Sequence, residues 1–413
     1  MVIGIDSRAI SQDKYSGVEE YAFNLLNALF AIDRKNQYIL FNAGKSPSQR
    51  YLDFSSEAQK NSPNVKVLHS KISNRLLNVF FKCLHWPKID KLAGGADIVF
   101  SPNINLLPVS RECKKIITFH DLSFARYSSF FSLKQRLWHK FVNPAVLARE
   151  ADFIIAVSQS TKNDLVEIYG VPREKIRVIY SGVNVKCQMS NVKTQNQISK
   201  LKSVREKYNL PEKYILYLGT IEPRKNIIGL IKAFELFNAK YPSSAKTTAG
   251  KQIPPKDKPT GQANTKYQLV IAGAKGWLYG DIFKAAQNSV FRNEIIFTGT
   301  IADEDRAFLY SMASLFVYPS FYEGFGFPPL EAMSAGIPVI VSNCSSLPEA
   351  VGNAALMVNP YNFGEIAWAM NEVLSNNNLR DKMIKKGYEQ VKKFSWEKCA
   401  RETLGVFEEA SSV

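Results

Sequence analysis

Two glutamates in the second half of the chain, Glu323 and Glu331, have the residue type and spacing to bind a ligand. Seven residues separate them, in the order Gly-Phe-Gly-Phe-Pro-Pro-Leu, and an apolar strand ends shortly before them at Tyr318. Gly324 and Gly326 let a ligand approach the backbone closely. The free N–H groups at the start of the next helix attract an anion such as a diphosphate. We therefore predict an anion-binding loop between this strand and this helix.

Glu331 is predicted to lie in the first turn of that helix, which opens around residues 328–330 and ends at Gly336 before Pro338. A carboxylate at this position has two interpretations. It can complement the helix dipole, or it can accept hydrogen bonds from a ribose diol through its two oxygens. The residue type alone does not decide between them.

A basic pair, Arg224 and Lys225, follows the first apolar strand of the second half. Arginine offers a fork of donors and lysine a compact point charge, and this combination suits the diphosphate of a leaving nucleoside diphosphate. The alternative is a basic turn that only faces water. The two cations are therefore candidates for a diphosphate site.

A histidine in the first half, His120, ends the apolar run Ile116–Phe119. A lone histidine after an apolar strand is more often structural than functional. Asp121 beside it can orient the imidazole or cap the following turn, and we favour the turn. His120 is a candidate that needs a wider pattern to support it.

Short apolar runs that alternate with amphipathic stretches must position these side chains. Near-continuous apolar strands separated by helices predict parallel sheets covered on both faces, so the fold class is α/β with two doubly wound sheets. Such sheets bind ligands at the carboxyl edge of their strands. The predicted strands are Val2–Ile5, Tyr38–Phe41, Val65–Leu68, Ile98–Phe100, Ile116–Phe119, Phe153–Val157 and Ile176–Ile179, followed by Tyr214–Leu218, Leu269–Ala272, Ile295–Thr298, Leu315–Tyr318 and Val339–Val341.

The chain of 413 residues has the length of two domains. The polar, weakly periodic stretch Val185–Val204 is the predicted linker. It gives an N-terminal domain of residues 1–185 and a C-terminal domain of residues 205–390. A second polar stretch, Pro242–Lys266, is predicted to be a surface insertion in the second domain.

Positive charge is in excess, with 53 Lys and Arg against 37 Asp and Glu and a net charge of +16. Residues 45–150 alone hold 17 basic and 7 acidic residues, an excess of 10 positive charges. This excess favours an anionic membrane surface or phosphorylated small molecules as partners. Nucleic acid is not predicted, because no zinc-finger, helix-turn-helix or RNA-binding signature accompanies the charge.

The segment Lys71–Trp86 interleaves basic residues with large apolar ones, including Phe80 and Phe81. One interpretation is an interfacial helix that docks on a membrane. The other is a helix that faces the core and has a solvated basic back.

The cellular compartment follows from segments that the sequence does not contain. Five cysteines are scattered and form no C-x-x-C pair, which gives little support to disulfides or a cysteine zinc site. The first residues lack the features of a signal peptide, and no apolar run approaches about 18 residues. We expect a cytoplasmic protein, peripheral at the inner face of the plasma membrane if the basic surface docks there.

The segment from Glu323 to Glu331 resembles the E-x7-E motif of family 4 glycosyltransferases, which are retaining enzymes of the GT-B fold. Leu218–Asn226 resembles the basic pair of the family's donor domain, and Ile117–Leu122 resembles its cleft histidine, so the resemblance covers nearly the whole chain. It implies two Rossmann-like domains with a cleft between them, the first for the acceptor and the second for a nucleotide-sugar donor. It also implies that a last helix, within residues 391–413, crosses back to the first domain.

The resemblance further implies a role for each site residue. Glu323 contacts sugar hydroxyls, Glu331 contacts the nucleotide ribose, and the basic pair neutralises the diphosphate. His120 lies beside the transferred sugar. The catalytic candidates are His120, Glu323, Arg224 and Lys225, and the donor-binding candidates are Gly17, Gly299, Thr300, Arg224, Lys225, Glu323, Gly324, Phe325, Gly326, Phe327 and Glu331.

Two loops match the family less closely. Ser16–Tyr21 takes the place of the family's glycine-rich loop, but it has one glycine, Gly17, and it has Glu19 and Glu20 where glycine and a basic residue are more usual. One of these glutamates can contact the acceptor instead. Phe297–Thr300 resembles the segment whose backbone reads the nucleotide base.

The resemblance predicts a hexosyltransferase that moves a hexose from a nucleotide sugar to a saccharide or a lipid-linked saccharide, with retention. No cofactor is predicted, and no metal ion, because nothing resembles the Asp-x-Asp metal motif of the other large glycosyltransferase fold. GDP-mannose is the favoured donor, because the site segments look like those of bacterial polysaccharide mannosyltransferases. UDP-glucose and UDP-N-acetylglucosamine remain open.

Two other classes of protein share this architecture. A nicotinamide-dependent dehydrogenase or epimerase is disfavoured, because no G-x-G-x-x-G follows Val2–Ile5 or Tyr214–Leu218. A catalytically silent GT-B protein that binds a membrane or a polyanion is the remaining alternative. The joint presence of the catalytic candidates and Glu331 argues against such a loss of activity.

Overall fold

The computed structural model describes residues 1–11, 17–184, 195–241 and 267–412, and it divides into two compact units. Unit 1 comprises Met1–Ser128, Leu133–Asn184 and Phe394–Val413, and unit 2 comprises Ser129–Ser132 and Val185–Lys393. The predicted insertion Pro242–Lys266, the first ten residues of the predicted linker and Ser16 lie outside the described residues.

Unit 1 contains a parallel sheet of seven strands in the order β3-β2-β1-β4-β5-β6-β7. Because β1 pairs with both β2 and β4, the order of the strands reverses beside β1. Such a reversal opens a crevice at the carboxyl edge of the sheet. The strands are β1 (Val2–Asp6), β2 (Gln37–Ala43), β3 (Val65–Ser70), β4 (Ile98–Ser101), β5 (Lys114–Phe119), β6 (Phe153–Ala156) and β7 (Ile176–Val178).

Within its described residues, unit 2 contains a parallel sheet of six strands in the order β10-β9-β8-β11-β12-β13. The order reverses between β8 and β11, which pair directly. The strands are β8 (Tyr214–Leu218), β9 (Gln268–Ala272), β10 (Ile295–Gly299), β11 (Leu315–Tyr318), β12 (Val339–Ser342) and β13 (Leu356–Val358).

The twelve predicted strands are all present, and both sheets are doubly wound. The central strands are buried along their whole length, as in β8 and β11, which explains their continuous apolar sequences. Edge strand β13 was not predicted, because it has only three residues and two of them are partly exposed.

Helices cover the two sheets. Those of unit 1 before the linker are α1 (Gly17–Ile32), α2 (Gln49–Asn61), α3 (Asn74–Leu84), α4 (Ile89–Leu92), α5 (Ser123–Arg126), α6 (Leu133–Val142), α7 (Pro144–Glu150) and α8 (Gln159–Tyr169). Those of unit 2 are α9 (Gln195–Lys207), α10 (Ile227–Lys240), α11 (Gly280–Gln287), α12 (Asp303–Ser311), α13 (Phe327–Ser334), α14 (Leu347–Val351), α15 (Phe363–Ser375) and α16 (Asn377–Val391). Among the described residues, none of the helices combines the length and the apolar composition that a membrane span requires.

The predicted linker is wrong over its second half, because residues 195–204 belong to α9. Val204 is buried, and Lys200 and Lys207 reach the buried Asp305 of α12 at 2.8 and 2.7 Å. Two ion pairs and a single buried valine thus connect α9 to its surroundings, and a search for apolar periodicity does not detect contacts of this kind.

The last helix, α17 (Trp396–Ser411), belongs to unit 1 although it follows unit 2 in the chain. Ser395 caps it by accepting a hydrogen bond from the backbone N–H of Lys398. The Phe407 ring packs against Phe100 of β4 at a centroid distance of 5.3 Å.

Candidate active site

Three of the predicted site residues meet at the point in unit 2 where the strand order reverses. Lys225 Nζ lies 2.7 and 2.8 Å from the two carboxylate oxygens of Glu323, and Arg224 Nη1 lies 3.2 Å from one of them. The basic pair follows β8 and the glutamate follows β11, and these strands are neighbours. Their carboxyl ends therefore bring residues almost 100 positions apart into contact.

The Glu323 carboxylate is ionised in this cluster. Burial alone would raise its pKa, but the cations Lys225 and Arg224 outweigh burial and lower the pKa of Glu323 to about 2. Burial and the neighbouring Arg224 lower the pKa of Lys225. The ammonium also donates a hydrogen bond to Tyr318 Oη at 2.8 Å. The basic pair therefore does not face water, and the solvated-turn interpretation is wrong.

A further carboxylate, Glu222, completes the cluster, although it is not among the candidates predicted from the sequence. Its Oε1 accepts a hydrogen bond from Arg224 Nη2 at 2.8 Å, whereas its Oε2 is buried without a hydrogen-bond partner. Burial raises the pKa of Glu222, although the adjacent Arg224 opposes that shift. With two cations and two carboxylates the cluster carries no formal net charge. The sequence signal that could have identified Glu222 is its position two residues before Arg224.

The loop after β11 is held by hydrogen bonds from its surroundings. The Asn226 side chain donates to the carbonyls of Pro319 and Pro360 at 3.0 and 2.7 Å. Ser346 Oγ donates to the carbonyls of Glu323 and Phe325 at 3.0 Å each. The loop therefore presents its backbone in a defined conformation.

Gly326 caps helix α13 with φ at +108°, a region that other residues rarely adopt. A Cβ atom there would also lie 2.9 Å from the Leu347 side chain. Phe327 begins the helix, and its ring contacts that of the buried Phe325 at 5.3 Å. The backbone conformation therefore requires glycine at position 326. This glycine lies beside the free N–H groups at the start of α13, where a ligand was predicted to approach the backbone closely.

Glu331 is the fifth residue of α13, so its placement in the first helical turn is wrong. The helix begins earlier than predicted, at Phe327, because Gly326 starts it. Arg306 Nη2 donates to both carboxylate oxygens of Glu331 at 3.0 and 2.8 Å, and Tyr310 Oη donates to one at 2.8 Å. Both partners lie on α12, and they were not predicted because the packing of α12 against α13 is a tertiary property.

Gly299 and Thr300 lie at the carboxyl end of the edge strand β10, and both are exposed. Strand β10 lies two places from β8, a distance of about 10 Å at the usual spacing of strands. The turns that follow β8 and β9 approach each other closely, since a Cβ atom on Gly273 would lie 2.0 Å from the carbonyl oxygen of Gly219. The carboxyl edge of the sheet in unit 2 therefore has an exposed surface near the ionic cluster.

In unit 1, His120 directly follows β5, and its Nε2 lies 2.8 Å from the carbonyl oxygen of Pro102, after β4. A carbonyl only accepts, so Nε2 carries the proton and Nδ1 is left as an acceptor. The Tyr21 ring meets the imidazole edge-on at 4.8 Å. Burial lowers the pKa of His120. The histidine is therefore a neutral, fixed group at the carboxyl edge of its sheet.

Asp121 accepts hydrogen bonds from the backbone N–H and hydroxyl of Ser123, at 2.9 and 2.6 Å, so the predicted turn is confirmed. Gly17 is the exposed first residue of α1. Glu19 and Glu20 lie in the first turn of this helix, where carboxylates complement the dipole.

Comparisons with known proteins show which family the chain resembles. A sequence model of the Glycosyltransferase Family 4 matches residues 15–186, and one of the Glycosyl transferases group 1 matches residues 200–390. The O-antigen chain mannosyltransferase B of Escherichia coli is 31% identical over 295 residues, which are 71% of this chain and 70% of the relative.

Two solved structures share the fold over almost the whole chain. Sucrose-phosphate synthase from Thermosynechococcus elongatus has a TM-score of 0.70 at 21% identity, with coverage of 99% of this chain and 98% of that one. The Anabaena protein Alr3699/HepE in complex with UDP-glucose has a TM-score of 0.67 at 18% identity, with coverage of 99% of both chains.

The fold, with two doubly wound parallel sheets, is that of the GT-B glycosyltransferases. The chain belongs to the family 4 glycosyltransferases, and its second half matches the group 1 glycosyl transferases, so it is an enzyme of glycosyl transfer. The family, the fold class and the enzyme class predicted from the sequence are confirmed.

Proposed function

We propose that this enzyme transfers mannose from GDP-mannose to a saccharide or a lipid-linked saccharide, with retention of configuration and with no required metal ion. The observation on which the proposal rests is the ionic cluster of Arg224, Lys225 and Glu323 at the reversal of strand order in unit 2. The 31% identity with a protein named as a mannosyltransferase supports the choice of sugar.

The basic pair binds the diphosphate of the donor in this proposal. Arg224 and Lys225 are neutralised by Glu222 and Glu323 before the donor arrives. Diphosphate oxygens replace carboxylate oxygens around the two cations, and Glu323 becomes available to accept hydrogen bonds from sugar hydroxyls. The backbone of residues 324–327 approaches the sugar and the phosphates, because Gly326 leaves space at the start of α13.

The reaction then needs no nucleophile from the protein. The bond from the anomeric carbon to the diphosphate oxygen breaks while the acceptor oxygen bonds to the same face of that carbon. The acceptor proton moves to the leaving phosphate oxygen. The cations stabilise the negative charge that develops on the diphosphate, which is the largest contribution expected of the protein. His120, with Nδ1 as acceptor, binds a hydroxyl of the transferred sugar.

Glu331 binds the ribose diol in this proposal, while Arg306 holds the carboxylate in place through both oxygens. A carboxylate oxygen has two lone pairs, so it accepts from Arg306 and from a ribose hydroxyl together. The exposed turn at Gly299 and Thr300 lies along the same edge and receives the base.

The enzyme works at the surface of an anionic membrane, which the positive excess of residues 45–150 supports.

A panel of GDP-mannose, UDP-glucose and UDP-N-acetylglucosamine tests the donor by release of the nucleoside diphosphate. We expect turnover with GDP-mannose, unchanged in the presence of EDTA, and an α-linked product by NMR of the anomeric proton. Glu323→Gln should abolish the release, and Glu365→Gln, a glutamate on α15, is the matched control. Activity only with a UDP-sugar would refute the donor, and binding of GDP without transfer would favour a silent protein.

A further inference from the structure

Helix α6 in unit 1 directs apolar side chains towards solvent. Leu133, Leu137 and Trp138 are 69%, 58% and 47% exposed, whereas Val142 is buried. Leu133 and Leu137 are one helical turn apart, so they lie one above the other on the exposed side. A helix on the surface of a water-soluble protein normally has polar residues on the side that faces solvent.

Cations flank these apolar residues. Lys134, Arg136 and Lys140 are exposed residues of α6, and the helix contains no Asp or Glu. Apolar residues between Lys and Arg, with no acidic residue, are typical of a helix that lies in the headgroup region of an anionic membrane.

Helix α3 repeats this arrangement. Leu76 and Val79 are exposed one turn apart, together with Cys83, and Trp86 is exposed just after the helix. The helix contains Arg75 and Lys82 and no acidic residue. A different side of α3 faces the core, because Leu77 and Phe81 of this helix are buried.

The two helices lie on one side of unit 1. Phe81 and Lys82 of α3 and Val142 of α6 line a single groove of about 460 Å³. Leu77, Phe81 and Val142 also belong to one hydrophobic core cluster. We call the exposed residues of α3 and α6, together with Trp86, the apolar–basic surface.

We infer that the apolar–basic surface inserts into an anionic bilayer, with its leucines and tryptophans below the headgroups and its cations among the phosphates. The inference rests on the proposed membrane location and names its contact residues. A second copy of the chain fits less well, because a twofold interface would place cation against cation. An anionic bilayer satisfies both the exposed apolar side chains and the unbalanced positive charge.

Sedimentation with vesicles tests the contribution of charge. Lys134→Gln/Arg136→Gln/Lys140→Gln should weaken binding to vesicles of phosphatidylcholine and phosphatidylglycerol on the order of 100-fold, because each cation contributes about fivefold. The matched control, Lys382→Gln/Lys385→Gln/Lys386→Gln, removes three cations from exposed positions of α16 in unit 2 and should bind nearly as the parent does. Equal losses in both variants would overturn the assignment to α6.

A second pair of variants tests the apolar contact. Trp138→Ala should weaken binding to the anionic vesicles several-fold, whereas Trp368→Ala should not, although both tryptophans are 47% exposed. Salt near 1 M should release the parent, because screening acts on the charges. No sedimentation of the parent with anionic vesicles at low salt would overturn the inference.

A fluorophore on Cys83 reports insertion of α3 directly, since Cys83 is exposed and Cys113 and Cys399 are buried. With Cys187 and Cys344 replaced by serine, an environment-sensitive dye should shift to the blue on phosphatidylglycerol vesicles and not on phosphatidylcholine vesicles. A blue shift that grows with protein concentration without lipid would favour self-association instead.

Failure of this inference is distinguishable from failure of the proposed reaction. The α6 triple variant should release GDP from GDP-mannose at the parental rate with a soluble acceptor. Glu323→Gln should bind vesicles normally while it lacks activity.

Discussion

Replacement of Lys225 by methionine should affect stability and catalysis through one contact. The Lys225 and Glu323 side chains are 9% and 8% exposed, and the ammonium contacts both carboxylate oxygens. Removal of one partner of a buried ion pair costs about 3–5 kcal/mol, because the other charge remains buried. Arg224 still lies 3.2 Å from Glu323, so we expect a loss near the lower limit, about 3 kcal/mol.

Two assays separate these effects. For a domain of about 150–250 residues, a loss of about 3 kcal/mol lowers the melting temperature by roughly 6–12 °C in calorimetry. The loss of one preorganised charge at the leaving group should lower kcat/KM on the order of 10²-fold. Lys225→Met/Glu323→Gln, which removes both charges, should recover most of the melting temperature and none of the activity.

The control is Lys284→Met, because Lys284 pairs with Asp281 at 3.2 Å on the surface of the same unit. Both side chains are exposed, so the melting temperature should hardly change. Recovery of kcat/KM in the double variant would refute the reasoning, since it would show that the ion pair serves only the fold. A parental melting temperature for Lys225→Met would refute the burial argument.

Three further predictions concern other groups of the two units. Glu331→Gln should raise the KM for the donor and leave kcat nearly unchanged, because a ribose contact stabilises ground and transition states equally; a lower kcat with unchanged KM would contradict it. Glu222→Gln gives the neutral cluster a charge of +1, so calorimetry should show tighter binding of GDP at pH 7. Because burial raises the pKa of Glu222, acid should also raise the affinity of the parent for GDP, and Glu222→Gln should lack this rise. Burial lowers the pKa of His120, so this histidine binds a proton more readily in the unfolded chain than in the folded one. Unit 1 should therefore lose stability as the pH falls below about 6.5. His120→Asn should reduce this loss.

The sequence was sufficient for the elements that have strong local signals. Runs of three to five mostly apolar residues identified the central strands, since a strand that is buried on both faces is formed mainly by apolar residues. Edge strand β13 has no such run, and its three residues could not be distinguished from a loop. The ends of helices were predictable only where a glycine or a capping residue marks them, as Ser395 does for α17.

The composition of the ionic cluster was only partly accessible. The sequence identified the basic pair and Glu323 one by one, but the contact between them depends on the pairing of β8 with β11. Arg306 and Tyr310 were inaccessible for a similar reason, because the packing of α12 against α13 is a tertiary property. Glu222 could have been considered, since it lies only two residues before Arg224, which it contacts at 2.8 Å.

Helix α3 shows why composition alone left its role open. Apolar residues occur on both of its sides: Leu77 and Phe81 face the core, while Leu76 and Val79 face solvent. A periodicity analysis measures how unevenly apolar residues are distributed around a helix, but it does not show which side meets the sheet. The core-facing interpretation is confirmed for the side that holds Leu77 and Phe81, whereas the interfacial interpretation remains a prediction for the exposed side. The exposed leucine and valine are therefore the observation on which the proposed bilayer contact of α3 rests.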